Sequence, residues 1–160
     1  MAAVPAMLAL GQAKPANALS SSDENRLRTG YKNLNYLLEN WDKETTKCNA
    51  AGGCVRTPDN IRYYLGMRST TDPLFQVEKL FIKAGADIDG EDGERFEDAL
   101  NEWNRHVEQA NIMAYTSSWG EANPGGGQDR INQFATKAFN EVQLARDALG
   151  TMVDVLNVSL

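Results

Sequence analysis

The chain has 160 residues, 42% of them hydrophobic, a length that suits one domain able to bury its own core. No stretch of 18 consecutive apolar residues occurs, so no membrane-spanning helix is predicted. The formal net charge of −6 argues against nucleic acid as a partner, because a phosphate backbone is bound by clustered lysine and arginine.

Residues 1–18 differ from the rest because they are small and apolar, with one lysine and no acidic residue. They end in Ala16-Asn17-Ala18, the small-x-small pattern after which signal peptidases cut. We therefore predict a cleaved targeting segment over residues 1–18 and a single mature domain over residues 19–160, although no basic region precedes the apolar run. An ordinary flexible N-terminus is the alternative.

The first predicted helix begins after the serines at 20–22, whose hydroxyls suit a helix cap. Apolar residues then recur at helical spacing to about Lys47, and Gly52 and Gly53 end the pattern. The stripe consists of Leu27, Tyr31, Leu34, Leu38, Trp41 and Thr45.

The second predicted helix is broken into two pieces around residues 68–71. Thr57-Pro58 is typical of a cap followed by a first-turn proline, and Gly66 ends this piece. Asp72-Pro73 repeats the same device and starts the next piece. The predicted inward positions are Ile61, Tyr64 and Leu65, then Leu74, Val77, Leu80, Phe81 and Ala84.

Two longer helices follow, the third over residues 94–115 and the fourth from Gln128 or Asp129 onwards. The third carries Phe96, Leu100, Trp103, Val107, Ala110 and Ala114, and the fourth carries Ile131, Phe134, Ala138, Val142, Ala145, Leu149, Met152 and Leu156. No alternating apolar–polar stretch predicts a sheet. The predicted fold is all-α: an up-down-up-down four-helix bundle with a broken second helix.

Between these helices, residues 116–127 form a predicted loop rich in glycine and serine. An exposed tryptophan in such a loop is a frequent anchor in protein interfaces, so Trp119 is a candidate partner-binding residue.

Charge divides the chain into two halves. Residues 26–83 carry ten lysines and arginines against six acidic residues, whereas residues 84–160 carry five against fourteen. Single charges mostly solvate helix surfaces, but this asymmetry favours docking of the basic half onto a charged surface. The candidate partner-binding residues in that half are Lys43, Lys47, Arg56, Arg62 and Arg68.

Catalysis and metal binding have little support in the sequence. His106 is the single histidine, and no nucleophile motif accompanies it, so we expect a packed or surface residue and no enzyme. Residues 87–93 resemble the start of a calcium loop, but Asp92 stands where that loop needs glycine, and an acidic turn before a helix is the better interpretation. No cofactor is expected.

Five residues separate the only two cysteines, Cys48 and Cys54. This is not the C-x-x-C spacing of thiol oxidoreductases, and a zinc site would need two further ligands in a chain with one histidine. We interpret the pair as a disulfide that fixes the turn between the first two helices, which requires an oxidising compartment. Two free, buried cysteines in a reducing compartment are the alternative.

Several unusual strings carry a resemblance to a known family. LLENWDKETTKC, RTPDNIRYYLG and STTDPLF, followed downstream by SSWGEANPGGGQDRI, resemble the small extrinsic lumenal subunit of photosystem II of diatoms and related red-lineage algae. The resemblance covers about residues 27–156 and implies a four-helix bundle similar to the PsbQ group.

The resemblance also implies a location and a role. The protein would be peripheral on the lumenal side of the plastid thylakoid membrane, in contact with the intrinsic core and other extrinsic subunits of photosystem II. There it would stabilise the manganese–calcium cluster and its ion retention without catalytic residues of its own, and residues 1–18 would be the tail of a thylakoid-transfer signal. The alternatives are a transient lumenal assembly or maintenance factor, and a metal-binding bundle that uses the acidic residues at 87–94.

Overall fold

The computed structural model describes residues 19–118 and 127–160, and the predicted targeting segment, residues 1–18, lies outside the described part of the chain. The chain is mostly helical, as predicted. In order, its elements are α1 (Ser21–Glu39), α2 (Trp41–Glu44), β1 (Thr46–Cys48), β2 (Cys54–Arg56), α3 (Asp59–Tyr64), α4 (Val77–Gly85), α5 (Gly90–Ser118) and α6 (Gly127–Val155).

The two longest helices, α5 and α6, make the most extensive contact among the described elements. They run antiparallel, since Arg95 near the start of α5 pairs with Asp154 near the end of α6, and His106 bonds Glu141 halfway along. Each helix has 29 residues and therefore extends about 43 Å. α1 packs on α6, and α3 and α4 pack on α5.

The core follows most of the apolar stripes that the sequence predicted, but Leu37 is fully buried where Leu38 was predicted, and Phe134 is only half-buried. The rings of Phe81 in α4 and Trp103 in α5 meet edge to face, with centroids 6.1 Å apart. Both rings are fully buried, and they join the apolar side chains of α1 and α6 in one cluster. Its other members include Leu27 and Leu34 of α1, Val107, Ala110 and Ala114 of α5, and Ala138, Val142, Ala145, Leu149 and Met152 of α6.

The first helix is shorter than predicted. α1 ends at Glu39, and Asn40 leaves the helical conformation while its backbone amide and its side-chain amide both donate to the carbonyl of Tyr36, at 3.0 and 2.9 Å. A single turn, α2, follows. Thr45 is buried as predicted but lies outside the helix, where its hydroxyl donates to the carbonyl of Trp41 at 2.6 Å.

The prediction of no sheet is wrong for residues 46–56. There β1 and β2 form an antiparallel hairpin in which Cys48 lies opposite Cys54, and these two residues form the predicted disulfide. Next to them, the amide of Asn49 donates to the carbonyl of Gly53 at 2.8 Å. Because narrow and wide pairs alternate in an antiparallel ladder, the cysteines occupy a non-hydrogen-bonded pair, the type with the closer Cα atoms, here 4.0 Å apart.

The second predicted helix corresponds to two separate helices, α3 and α4. The second piece does not start at Asp72-Pro73, because Asp72 is buried in a turn, where its carboxylate accepts from the amide of Ser69 at 3.1 Å. α4 begins later, at Val77.

The third helix is longer than predicted at both ends. α5 begins at Gly90 inside the predicted acidic turn and continues to Ser118, beyond the predicted start of the loop.

Gly66, just after α3, has a positive φ of 76°, and a Cβ there would meet backbone atoms of Leu74 and Phe75. We expect Gly66→Ala to lower the free energy of unfolding by about 2–4 kcal/mol. Alanine disfavours the positive φ, and its Cβ would clash with backbone atoms, which cannot move aside as a side chain can. Urea denaturation followed by circular dichroism measures the change.

Gly52→Ala is the matched control, since Gly52 also has a positive φ, 85°, but its Cβ would enter open space. Only the conformational cost of about 1 kcal/mol is expected there. Equal losses in the two variants would contradict the close approach at Gly66.

Candidate docking surface

The five basic residues predicted to bind a partner lie in one region, built by α2, the hairpin and α3. We call this region, residues 41–48 and 54–68, the hairpin surface. It holds Lys43, Lys47, Arg56, Arg62 and Arg68. Trp119, the remaining predicted residue, lies outside the described residues.

The turn of the hairpin is built by its own sequence. The side-chain oxygen of Asn49 accepts from the amides of Ala51 at 3.1 Å and Gly53 at 2.9 Å, and Gly52 supplies the left-handed backbone conformation. At the base of the hairpin, the amide of Thr57 donates to the carbonyl of Thr45 at 2.8 Å. The hairpin therefore projects as an ordered element between α2 and α3.

Lys47 and Arg68 present exposed positive charge around one carboxylate. The ammonium of Lys47 lies 3.1 Å from Asp59, and the hydrogen bond between them holds the pKa of the Asp59 carboxyl below its usual range. The charge of Arg68 acts in the same direction. Since the Lys47 side chain is 64% exposed, this pair contributes little to stability and leaves Lys47 accessible to a partner.

Arg56 and Arg62 hold elements of the surface together. The guanidinium of Arg56 bonds Asp42 and the hydroxyl of Thr45, each at 2.7 Å, and so ties β2 to the end of α2. Arg62 donates to Asn111 at 3.0 Å and ties α3 to α5. Both side chains are half-buried, so their first role is to fix the surface on the helices.

A tyrosine cluster, which the sequence analysis did not identify as functional, adjoins the basic residues. The rings of Tyr36 and Tyr64 lie 6.3 Å apart, and those of Tyr63 and Tyr64 lie 5.4 Å apart. Tyr36 is 40% exposed and Tyr63 46% exposed. One signal was available: adjacent tyrosines on a short helix cannot both face the core, so either Tyr63 or Tyr64 had to reach the surface.

Glu44 organises this cluster. Its carboxylate accepts from the hydroxyls of Tyr36 at 3.3 Å and Tyr64 at 3.2 Å, and from the side-chain amide of Asn60 at 3.2 Å. Burial and the charge of Glu44 raise the pKa of Tyr64 to about 12. On the outer side, Lys43 donates to the hydroxyl of Tyr36 at 3.2 Å, and this bond raises the pKa of the Lys43 ammonium.

The hairpin lies at the end of the molecule where α5 finishes and α6 begins. A cleft of 230 Å³ separates the hairpin from these helices, with Lys47 and Arg56 on one wall and Ser117 and Ile131 on the other. A wider groove of 810 Å³ lies between α1 and residues 70–83, and it contains none of the predicted docking residues.

His106 is buried between two helices. The sequence analysis predicted a packed or a surface residue, and the structure shows the packed one. Its Nδ1 lies 2.6 Å from Glu141 of α6, and its Nε2 lies 3.0 Å from Glu102 of α5. The i, i+4 spacing of Glu102 and His106 was visible in the sequence, whereas the contact with Glu141 depends on the packing of α5 against α6. The arrangement bridges the two helices.

Within residues 19–118 and 127–160, no group of three or more His, Cys, Asp or Glu side chains is arranged to hold a metal ion. That range includes the acidic turn at 87–94. In the same described part of the chain, every helix is too short or too polar to cross a membrane.

Comparison with protein-family models, with curated proteins and with solved structures gives no match for this chain. The hairpin surface is therefore interpreted from its own residues and geometry.

We expect Glu44→Gln to lower the pKa of Tyr64 from about 12, but not fully to the ordinary 10.0, because burial, the largest cause of the shift, remains. The tyrosine Cζ chemical shift, followed by NMR as pH rises, measures it. Because the folded-state pKa is raised, the associated stabilisation is complete below about pH 10 and is lost as pH rises towards 12.

Glu39→Gln is the control, because Glu39 is an exposed α1 residue that makes no contact among the causes of the Tyr64 shift. If both variants leave Tyr64 unchanged, Glu44 does not organise the cluster.

Proposed function

We propose that this chain is a non-catalytic extrinsic subunit of photosystem II, bound to the lumenal side of the thylakoid membrane, where it stabilises the oxygen-evolving manganese–calcium cluster and its ion retention. One coincidence carries the proposal. Two of the four strings that resemble the extrinsic subunit, LLENWDKETTKC and RTPDNIRYYLG, contain most of the residues that build the hairpin surface. The resemblance and the surface suited to docking therefore overlap in this part of the chain.

The proposed architecture is an up-down-up-down four-helix bundle in which α3 and α4 together take the second position. The antiparallel course of α5 and α6 supports it. So does the bond between Asn35 of α1 and Arg146 of α6, at 2.7 Å, which places the last third of α1 beside the later part of α6. Arg62 attaches α3 to α5.

The proposed location rests on the disulfide and the N-terminal segment. Disulfides persist in oxidising compartments and are rare where glutathione and thioredoxin keep thiols reduced. The Cys48–Cys54 bond supports an oxidising compartment such as a lumen, and the predicted signal over residues 1–18 supports transfer into it. The prediction that residues 19–160 form the mature domain belongs to the same proposal.

Docking would combine charge with aromatic contact. Lys43, Lys47 and Arg68 are exposed and suit an acidic partner surface, which attracts them over a distance of about 10 Å at ordinary salt. Tyr36 and Tyr63 offer the large amphipathic rings that are frequent in the centres of protein interfaces. The proposed partners are the intrinsic core and other extrinsic subunits of photosystem II.

A transient lumenal assembly or maintenance factor of photosystem II is the second candidate. Acidic residues within the hairpin surface favour it, because Asp42 and Asp59 already neutralise part of the basic charge, and a weaker surface suits reversible docking. Quantitative mass spectrometry of purified oxygen-evolving complexes separates the candidates. A subunit is present in fixed proportion to the core, whereas an assembly factor is present in much smaller amount.

We expect the double charge reversal Lys47→Glu and Arg68→Glu to weaken binding to salt-washed photosystem II particles by about 10- to 100-fold, because the attraction becomes repulsion. Sedimentation of particles with increasing amounts of protein measures the change. Lys79→Glu with Lys83→Glu changes the net charge equally on α4, outside the hairpin surface, and should have little effect.

Release by salt provides the opposing test. Protein that remains fully bound to thylakoid membranes after washing at molar salt and alkaline pH would overturn electrostatic docking. Equal weakening by both double variants would indicate attraction by net charge alone, and would overturn the assignment to the hairpin surface.

A further inference from the structure

The disulfide lies at the surface of the molecule. Every residue from 47 to 55 is exposed, including both cysteines. Gly52 and Gly53, next to Cys54, carry no side chain that could cover the sulfurs, and the Sγ of Cys54 lies 3.9 Å from the carbonyl oxygen of Gly52. A thiolate of another protein can therefore reach the bond from solvent. Exposed disulfides are the ones most open to exchange.

The hairpin is also held without the disulfide. Asn49 closes the turn through its side-chain oxygen, and the Thr57 amide bonds Thr45 at the base. Arg56 fixes the outgoing strand to Asp42. None of these contacts involves sulfur, and no core residue belongs to the range 47–55. Cleavage of the disulfide would therefore loosen the hairpin and leave the helices packed.

We propose that Cys48 and Cys54 form a reversible thiol–disulfide exchange site for a dithiol protein. A thiolate of the reductant attacks one cysteine sulfur, a mixed disulfide forms, and the other cysteine leaves as a thiolate. The second thiol of the reductant then attacks the mixed disulfide and releases the remaining cysteine. In sum, the hairpin gains two electrons and two protons, and the dithiol is oxidised to a disulfide.

The consequence falls on the hairpin surface. Lys47 directly precedes Cys48 and Arg56 lies two residues after Cys54, so the bond holds two basic residues at a fixed separation. Reduction would raise the mobility of Lys47 and of the turn residues, while Arg56 stays bonded to Asp42 and Thr45 and the chain stays folded. This inference goes beyond the proposed function, because it concerns the isolated protein and holds whatever partner the surface binds.

The first test measures how reduction depends on conditions. The oxidised full chain is incubated with dithiothreitol at neutral pH, and free thiols are then alkylated with iodoacetamide. The mass of the intact protein is measured by mass spectrometry. We expect two alkyl groups per chain, with a rate proportional to dithiothreitol concentration and unchanged by low urea, while circular dichroism stays native. A rate that rises with urea in step with global unfolding would show that the bond is protected in the folded state, and would overturn the proposal.

The second test asks whether a protein can be the reductant. A thioredoxin-like dithiol protein whose second cysteine is replaced by serine should be trapped on the chain as a mixed disulfide, visible as the sum of the two masses. No trapped complex, under conditions where dithiothreitol does reduce the bond, would overturn the assignment to a dithiol protein. Cys48→Ser with Cys54→Ser is the control, which must give neither alkylation nor complex.

Amide hydrogen exchange reports the structural effect. On reduction we expect the exchange protection of the Asn49 amide to fall by about tenfold, because its hydrogen bond to the carbonyl of Gly53 closes the turn beside the disulfide. Protection in α5 and α6 should stay unchanged. Loss of protection throughout the helices would mean that the disulfide supports the whole fold, and would overturn the assignment of a local exchange site.

Discussion

Close packing of α5 against α6 is the constraint on which the other elements depend. Alanines at 110 and 114 of α5 and at 138 and 145 of α6 are fully buried, and their small side chains allow the two helix backbones to approach. α1 then packs on α6, while α3 and α4 pack on α5. The shorter elements, and the hairpin among them, take their positions from this pair.

Polar contacts across the same pair set its register. His106 is 8% exposed and has a carboxylate at each ring nitrogen, one from its own helix and one from Glu141. A slip of one helical turn would remove Glu141 and leave a buried imidazole nitrogen without that partner, which costs more than an apolar mismatch. Nearer the end, Arg95 and Asp154 pair in the same register at the surface. We infer that apolar packing supplies most of the attraction and that these bonds select one alignment.

Sequence reasoning succeeded where a pattern persists over many turns. The stripe through Ile131, Val142 and Met152 predicted α6 because apolar residues recur at helical spacing in every turn. It failed at the hairpin, whose three-residue strands are too short to alternate visibly and depend on contacts such as the Thr57–Thr45 bond. The candidate surface divides in the same way. Its charges and its disulfide were predicted, but the pairing of Arg62 with Asn111 joins residues too distant in the chain for local patterns to connect.

Different parts of the chain lie at the two ends of the α5–α6 pair. Near the start of α1, Arg28 donates to the carbonyl of Ser159 at 2.6 Å, so the beginning of α1 and the segment after α6 lie side by side. The hairpin lies at the other end, beside Ser117 and Ile131. About one helix length, roughly 40 Å, separates the two sites. If the hairpin surface binds a partner as proposed, that partner lies about one helix length from Ser159.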